Sequence, residues 1–215
     1  MKIAIIGATG FVGSKLVKEA ADRGLQVTAI ARNAEKTETP NVTKVSVDVN
    51  NVDELSEVLK GQDTVISAYN AGWTNPNIYD DFLAGSKAIQ EAVKQAGVKR
   101  LIMIGGAGSL FTAENQQLVD AEGFPAEIKP GALAARDYLN ILKEEKELDW
   151  AFFSPAIEMH PGITTGRTGK YRLGKDHPVV DENNVSKLSA EDVAVVLVDE
   201  AEHPKHHQER FTAAY

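Results

Sequence analysis

The chain contains no cysteine, which excludes disulfide bonds, cysteine-ligated zinc and thiol catalysis. Positive charge is also scarce, since 23 Lys and Arg residues face 31 Asp and Glu residues and the formal net charge is −8. This balance argues against nucleic-acid binding, because phosphate backbones are recognised chiefly by positive charge. The five histidines lack a carboxylate pattern at metal-ligand spacing. We therefore expect solvated surface histidines and no bound metal.

Long apolar runs are missing as well. No stretch approaches the length of a membrane span, and Met1 leads directly into a strand without a signal peptide. These features predict a cytoplasmic protein that does not bind membranes. At 215 residues and 43% hydrophobic content, the chain is long enough to bury a full core as one domain over 1–215.

Strands and helices alternate along the chain, which predicts a Rossmann-type α/β fold with a doubly wound parallel sheet flanked by helices. Apolar runs predict strands at Met1–Ile6, Gln26–Ala31, Thr43–Val47, Asp63–Ala68, Lys99–Ile104, Trp150–Ser154 and Phe211–Tyr215. Amphipathic spacing predicts helices at Phe11–Arg23, Val52–Leu59, Ile78–Gln95 and Gly131–Glu147, and a last one capped by Ser189. The segment 155–187 loses this rhythm and is rich in Gly, Pro and Thr, so we expect a small, loop-rich substrate lobe there.

The first strand and helix are joined by a turn that contains three glycines. Gly7 allows the sharp turn, Gly10 lets backbone N–H groups approach a phosphate, and Gly13 lets the helix pack close to the strand. The candidate cofactor site in this turn also includes Thr9, Phe11 and Val12. With a second strand following, the unit predicts the binding of a dinucleotide pyrophosphate at the helix N-terminus.

The end of the second strand indicates which dinucleotide binds. An NAD-binding protein usually has an acidic residue there for the ribose 2′-hydroxyl, but this chain has Arg32. A guanidinium would pair with a 2′-phosphate, so the sequence favours NADP over NAD, which remains possible. The alternative is a solvated arginine at a strand end.

Ligands of such a sheet gather at the carboxyl ends of its strands, and these ends supply the remaining cofactor candidates. They are Asp48 and Val49 after the third strand, Ser67, Ala68 and Tyr69 at the fourth, Gly105 and Gly106 after the fifth, and Pro155 after the sixth. Asp48 could accept from the adenine amino group. The glycines could leave room for the nicotinamide ring, or form a tight loop with no catalytic role.

Substrate candidates lie in the same loops. Tyr69, Trp73 and Phe111 could stack on a planar acceptor, or serve as apolar loop anchors. Ser109 is the candidate catalytic polar group, able to donate to the nicotinamide or the substrate. Arg167 lies in the most basic cluster of the expected lobe and could bind an anionic acceptor such as a flavin phosphate; the alternative is an ordinary polar hairpin.

The G-x-x-G-x-x-G spacing from Gly7 resembles the extended and atypical short-chain dehydrogenase/reductases. The runs 3–10, 104–110, 148–156 and 168–174 resemble a bacterial group described as NADH-flavin reductases, which is similar to NmrA-like proteins and to biliverdin reductase B. The resemblance spans nearly the whole chain. It implies hydride transfer from a nicotinamide to a flavin, as substrate, or to a related planar acceptor.

One departure from the superfamily pattern narrows the chemistry. The best-known members use a Tyr-x-x-x-Lys pair, in which the lysine lowers the pKa of a tyrosine that protonates a carbonyl. Here Leu142 stands four positions after Tyr138, and Lys143 stands five positions after it. One position is a rotation of about 100° on a helix, so we expect Tyr138 in the core or behind the site. Flavin-like or quinone-like acceptors are thus favoured over alcohols and sugars.

Other interpretations remain open. A non-catalytic, NmrA-like sensor would bind the dinucleotide and pass its state to a partner protein. A sugar-nucleotide epimerase or dehydratase is disfavoured because such proteins usually have a longer C-terminal domain. A homo-oligomer is compatible with the sequence.

Overall fold

The computed structural model describes residues 1–112 and 115–215. Within these ranges the sheet has eight strands in the order β3-β2-β1-β4-β5-β6-β8-β7. The strands are β1 (Lys2–Ile6), β2 (Gln26–Ala31), β3 (Thr43–Ser46), β4 (Thr64–Ser67), β5 (Arg100–Ile104), β6 (Asp149–Ser154), β7 (Arg172–Gly174) and β8 (Glu209–Ala214). The helices are α1 (Phe11–Asp22), α2 (Val52–Leu59), α3 (Ile78–Gln95), α4 (Lys129–Leu142) and α5 (Ala190–Glu202). The predicted Rossmann-type α/β fold is confirmed.

Helices cover both faces of the sheet, which explains why its central strands are apolar throughout. On one face, α1 packs with α5 over a core that includes Ile5 and Phe153. On the other face, α2, α3 and α4 cover a second core that includes Val65 and Phe152. All strand pairs are parallel except β7 with β8.

The order of the strands creates the ligand crevice. From β1 the chain runs outward through β2 to β3, then returns to place β4 on the other side of β1. The loops after β1 and β4 therefore diverge, and they border an opening beyond the carboxyl ends of these two paired strands. The glycine turn lies at this switch point.

The predicted end of the fourth helix is wrong, and the segment 155–187 adds one strand to the sheet. Helix α4 ends at Leu142 rather than Glu147, because the buried Glu145 carboxylate accepts the backbone N–H groups of Glu147 and Leu148 and turns the chain into β6. The segment 155–187 contains one short strand, β7, which pairs antiparallel with β8 at the sheet edge.

The opposite, amino-terminal edge of the sheet is closed by a buried ion cluster. Arg100 donates to Glu200 at 2.5 Å and to Asp149 at 3.1 Å, and Glu200 also contacts Nδ1 of His206 at 2.8 Å. The His206 ring is stacked on Phe211, so the expectation of a solvated histidine is wrong at this position. Among the described residues there is no group of metal-ligating side chains, and no helix is both long and apolar enough to cross a membrane.

Candidate functional site

The turn between β1 and α1 is built around positions that admit no side chain. Gly7 has φ +79°, and a Cβ there would lie 2.6 Å from the Ala68 carbonyl oxygen at the end of β4. A Cβ on Gly13 would overlap the Gly7 carbonyl oxygen. The turn is held by a bond from the Gly10 N–H to the Gly7 oxygen, at 2.9 Å. The backbone of the turn therefore packs directly on the backbone after β4 at Gly7 and on the first turn of α1 at Gly13.

Helix α1 begins with free donors. In the described part of the chain, the N–H groups of Phe11, Val12 and Gly13 have no backbone acceptor, and Gly10 provides no side-chain cap. Thr9, Gly10 and Phe11 are exposed beside them. Three converging N–H groups at the positive end of a helix dipole suit an anion, and the lack of side chains leaves space for a pyrophosphate.

Arg32 lies at the end of β2, the neighbour of β1. Its side chain is exposed and forms no ion pair with any described residue. Most other arginines of the fold are fixed by carboxylates, so this free guanidinium is available to an anionic ligand.

The ends of β3 and β4 contribute Asp48, Val49, Ser67, Ala68 and Tyr69. The Asp48 carboxylate accepts from the backbone and side chain of Asn50 through one oxygen, Val49 is buried, and the Ser67 hydroxyl accepts the Tyr69 N–H at 3.3 Å.

Tyr69 is turned towards α3 rather than towards the opening. Its ring lies over Gly85, and its hydroxyl donates to the Asp81 carbonyl oxygen at 3.0 Å. Burial raises the pKa of Tyr69, the charges of Asp81 and Asp48 raise it further, and Arg32 opposes them. The ends of β2, β3 and β4 lie at the same edge of the parallel sheet, with β1 between β2 and β4. Stacking of Tyr69 on a substrate stays a prediction.

The loop after β5 is tightly packed beneath its exposed surface. A Cβ on Gly105 would overlap the Phe152 ring, and the Gly105 N–H donates to the Phe153 carbonyl oxygen at 2.9 Å. Ser109 is only 1% exposed; its hydroxyl lies 3.1 Å from Ser154 Oγ and 3.2 Å from the Gly106 carbonyl oxygen. Pro155 is buried directly after Ser154. The Ser109 hydroxyl is therefore enclosed in the loop, and its direct catalytic contact stays a prediction.

Exposed apolar side chains follow the carboxyl ends of β1, β4 and β6. Trp73 is 59% exposed, and its indole lies against Gly131 at the start of α4. Phe11 on α1 and Ile157 after β6 are also exposed, by 42% and 52%. Exposed large apolar groups near a cofactor cleft are typical of a binding surface for a planar, apolar ligand. Phe111 is partly buried and is held by the neighbouring lobe.

Arg167 lies against Glu19, in the second half of α1. Its guanidinium forms two hydrogen bonds with the buried Glu19 carboxylate, at 2.7 and 2.9 Å. Glu19 is eight residues after Phe11 on α1, so this contact is about 12 Å along the helix from its N-terminus. These bonds use Nε and Nη2 of Arg167, and a contact between Arg167 and an anionic acceptor stays a prediction.

Tyr138 occupies the core, as the spacing predicts. It is fully buried, and its hydroxyl donates to Gln90 Oε1 at 3.0 Å. Burial raises the pKa of Tyr138 far above its usual value, and the charge of Glu145 adds to this shift. Lys143 is exposed at the end of α4. A phenol that is buried and difficult to ionise is unsuited to acid catalysis at the opening.

Sequence reasoning missed Arg210. This arginine in β8 is buried, donates to Ser109, and forms an ion pair with Asp176 at 2.8 Å. The available signal was a lone arginine that opens the apolar run Phe211–Ala214. Its partners are distant in sequence and could not be assigned from it.

Comparison with known proteins agrees with this geometry. A sequence model of the family described as NAD(P)H-binding matches residues 7–204. The uncharacterised protein YwnB of Bacillus subtilis (strain 168) is 38% identical over 214 residues, which cover 99% of this chain and 97% of YwnB. A Xenophilus azovorans protein named NAD(P)H azoreductase is 24% identical over 221 residues, covering 97% of this chain and 66% of that protein.

Solved structures are similar along the whole chain. A candidate epimerase from Bacteroides thetaiotaomicron has a TM-score of 0.90 and 50% identity, covering 100% of this chain and 96% of that one. A candidate NADH-flavin reductase from Streptococcus pneumoniae TIGR4 has a TM-score of 0.86 and 33% identity, covering 100% and 99%. These matches extend through the segment 155–187.

Proposed function

The chain belongs to the NAD(P)H-binding family, and on this premise we propose that it is an NADPH-dependent reductase of planar acceptors, such as flavins or quinones. The observation that carries the proposal is the position of Tyr138, which is fully buried against Gln90 while exposed apolar groups follow the carboxyl ends of β1, β4 and β6. Carbonyl reduction needs a proton donor at the opening, whereas reduction of a flavin or quinone chiefly needs two planar groups aligned.

NADPH is the proposed cofactor. The free N–H groups of Phe11, Val12 and Gly13 would bind its pyrophosphate, and Arg32 would bind its 2′-phosphate. Asp48 retains a second carboxylate oxygen for the adenine amino group. The bound nicotinamide supplies a hydride. Reduction of the acceptor to its two-electron product also consumes one proton, which we assign to solvent.

The residues around the opening suit the acceptor by shape rather than by charge. Trp73 and Ile157 offer exposed apolar surface in the loops after β4 and β6. Two of the similar proteins carry names of reductases that act on a flavin or an azo compound. Both kinds of acceptor are conjugated and planar.

An epimerase, the activity named for the Bacteroides thetaiotaomicron protein, is less well supported, and so is a dehydratase. The superfamily's tyrosine for proton transfer has its counterpart here at Tyr138, which is buried.

The test is an anaerobic assay of the full chain with NADPH against riboflavin, FMN and a small quinone. We expect NADPH oxidation with at least one of them, and a raised KM for NADPH in the matched variant Arg32→Ala, whose exposed side chain forms no ion pair with a described residue. Tight NADPH binding without turnover on any acceptor would contradict the reductase and favour a dinucleotide sensor.

A further inference from the structure

A buried arginine connects three separate parts of the chain beside the cofactor opening. The guanidinium of Arg210, on β8, donates to the Ser109 carbonyl oxygen at 2.9 Å and to Ser109 Oγ at 3.2 Å. Its Nε and Nη2 atoms donate to one oxygen of Asp176, at 3.1 and 2.8 Å. The loop after β5 and the segment 155–187 thus share one cation.

Further contacts join the same two parts. The Phe111 N–H donates to the Asp176 carbonyl oxygen at 2.8 Å, and the Phe111 carbonyl oxygen lies 3.0 Å from Nδ1 of His177. The Phe111 ring lies 5.7 Å from the centre of the Arg210 guanidinium, within cation–π range. Both the loop after β5 and the segment 155–187 therefore take part in this connection through backbone and side-chain atoms.

Burying the Arg210 guanidinium costs more free energy than packing an apolar side chain at the same position would. The Arg210 side chain is only 4% exposed, while that of Asp176 is 49% exposed, so the cation loses its hydration more completely than its partner does. Well-packed apolar residues commonly replace buried ion pairs without loss of stability. What an apolar side chain could not do is hold Ser109 and Asp176 at fixed positions through directed bonds.

We propose that Arg210 is a positioning residue, which fixes the loop 105–111 at the nicotinamide end of the opening by tying it to Asp176. The inference rests on the proposed reductase function, in which Gly105 and Gly106 lie beside the reacting rings. A loop displaced by about 1 Å costs up to about 100-fold in rate when it sets the distance between reacting groups. Arg32 and the glycine turn act at the other half of the cofactor.

The test compares two carboxylates, each paired with a buried arginine at opposite edges of the sheet. Asp176→Ala removes the partner of Arg210, and the control Asp149→Ala removes one partner of Arg100 at the amino-terminal edge. For Asp176→Ala we expect kcat to fall about 10-fold or more, with the KM for NADPH within about two-fold of wild type. Asp149→Ala should keep both constants, and Asp176→Glu should recover most of kcat.

Amide hydrogen exchange supplies a readout that needs no turnover. With NADPH present, Asp176→Ala should speed exchange in residues 105–112 and leave residues 7–14 unchanged, whereas Asp149→Ala should change neither. Unchanged exchange in 105–112, or a kcat equal to that of Asp149→Ala, would overturn the positioning role. If the wild type turned over no acceptor, the proposed function would fail, and the exchange comparison would still decide this inference.

Discussion

The choice between NADPH and NADH depends on a single side chain, so Arg32→Ala is the most informative substitution at the cofactor site. Arg32 is exposed at the end of β2 and is not engaged by any carboxylate among the described residues. Arg32 therefore does not have to break an ion pair with a described carboxylate in order to bind a 2′-phosphate. NADH has no such phosphate, and its affinity should be insensitive to the change.

The expected magnitude follows from the type of contact. A hydrogen bond to a charged group contributes about 1.5–3 kcal/mol, which corresponds to about 10- to 150-fold in Kd. Because Arg32 is exposed, solvent and salt weaken the contact, and we expect the lower end, about 10-fold. The loss of NADPH affinity should be smaller at high ionic strength, where the wild-type contact is already screened.

Binding is measured by titration of wild type, Arg32→Ala and the control Lys143→Ala with each nucleotide. Lys143 is exposed at the end of α4, so its removal changes the net charge equally without touching the site. The Kd for NADPH should rise only in Arg32→Ala. An equal loss of NADH and NADPH affinity, or the same loss in Lys143→Ala, would refute the proposed 2′-phosphate contact.

Three further predictions concern other residues. Gly13→Ala should abolish NADPH binding in a titration, because the new Cβ would overlap the Gly7 carbonyl oxygen; wild-type affinity would contradict the turn as the pyrophosphate site. Tyr138→Phe should lower the free energy of unfolding, measured in urea, by about 1 kcal/mol, because the hydrogen bond to Gln90 is lost. The kcat of this variant should stay within about two-fold of wild type, and a fall of about 100-fold would show that Tyr138 takes part in catalysis. Burial of Glu145 raises its pKa. Hydrogen bonds from the Glu147 backbone, Gln90 and Lys94, together with the charge of Lys94, outweigh this effect and lower the pKa to about 2. The unfolding free energy should therefore fall as pH drops from 4.5 towards 2, and Glu145→Gln should have a shallower decline; an unchanged slope would argue against the shift.

Local patterns predicted most of the fold correctly. The glycine turn and the apolar strands β1, β4 and β5 depend on neighbours in sequence, so spacing and composition suffice to place them. The burial of Tyr138 was predictable for the same reason, because helical geometry alone separates it from Lys143.

Pairings between distant residues were not predictable. The sequence places Arg167 in a basic cluster that could bind an anionic acceptor, but it does not indicate its contact with Glu19, which is 148 positions away in sequence. Arg210 meets Ser109 across 101 positions, and no periodicity links them. For both arginines, the hydrogen-bond partner is a residue that only the folded structure places nearby, so the role of the side chain could not be assigned from the sequence.

The central claim is that the bound nicotinamide gives its hydride to a planar acceptor at this opening. The most direct measurement is a single-turnover reaction, in which the protein and one equivalent of NADPH are mixed anaerobically with riboflavin or a small quinone. We expect nicotinamide oxidation at the rate of acceptor reduction, slowed when the transferred hydrogen is replaced by deuterium. Stable NADPH absorbance with every acceptor, despite demonstrated binding, would contradict the account.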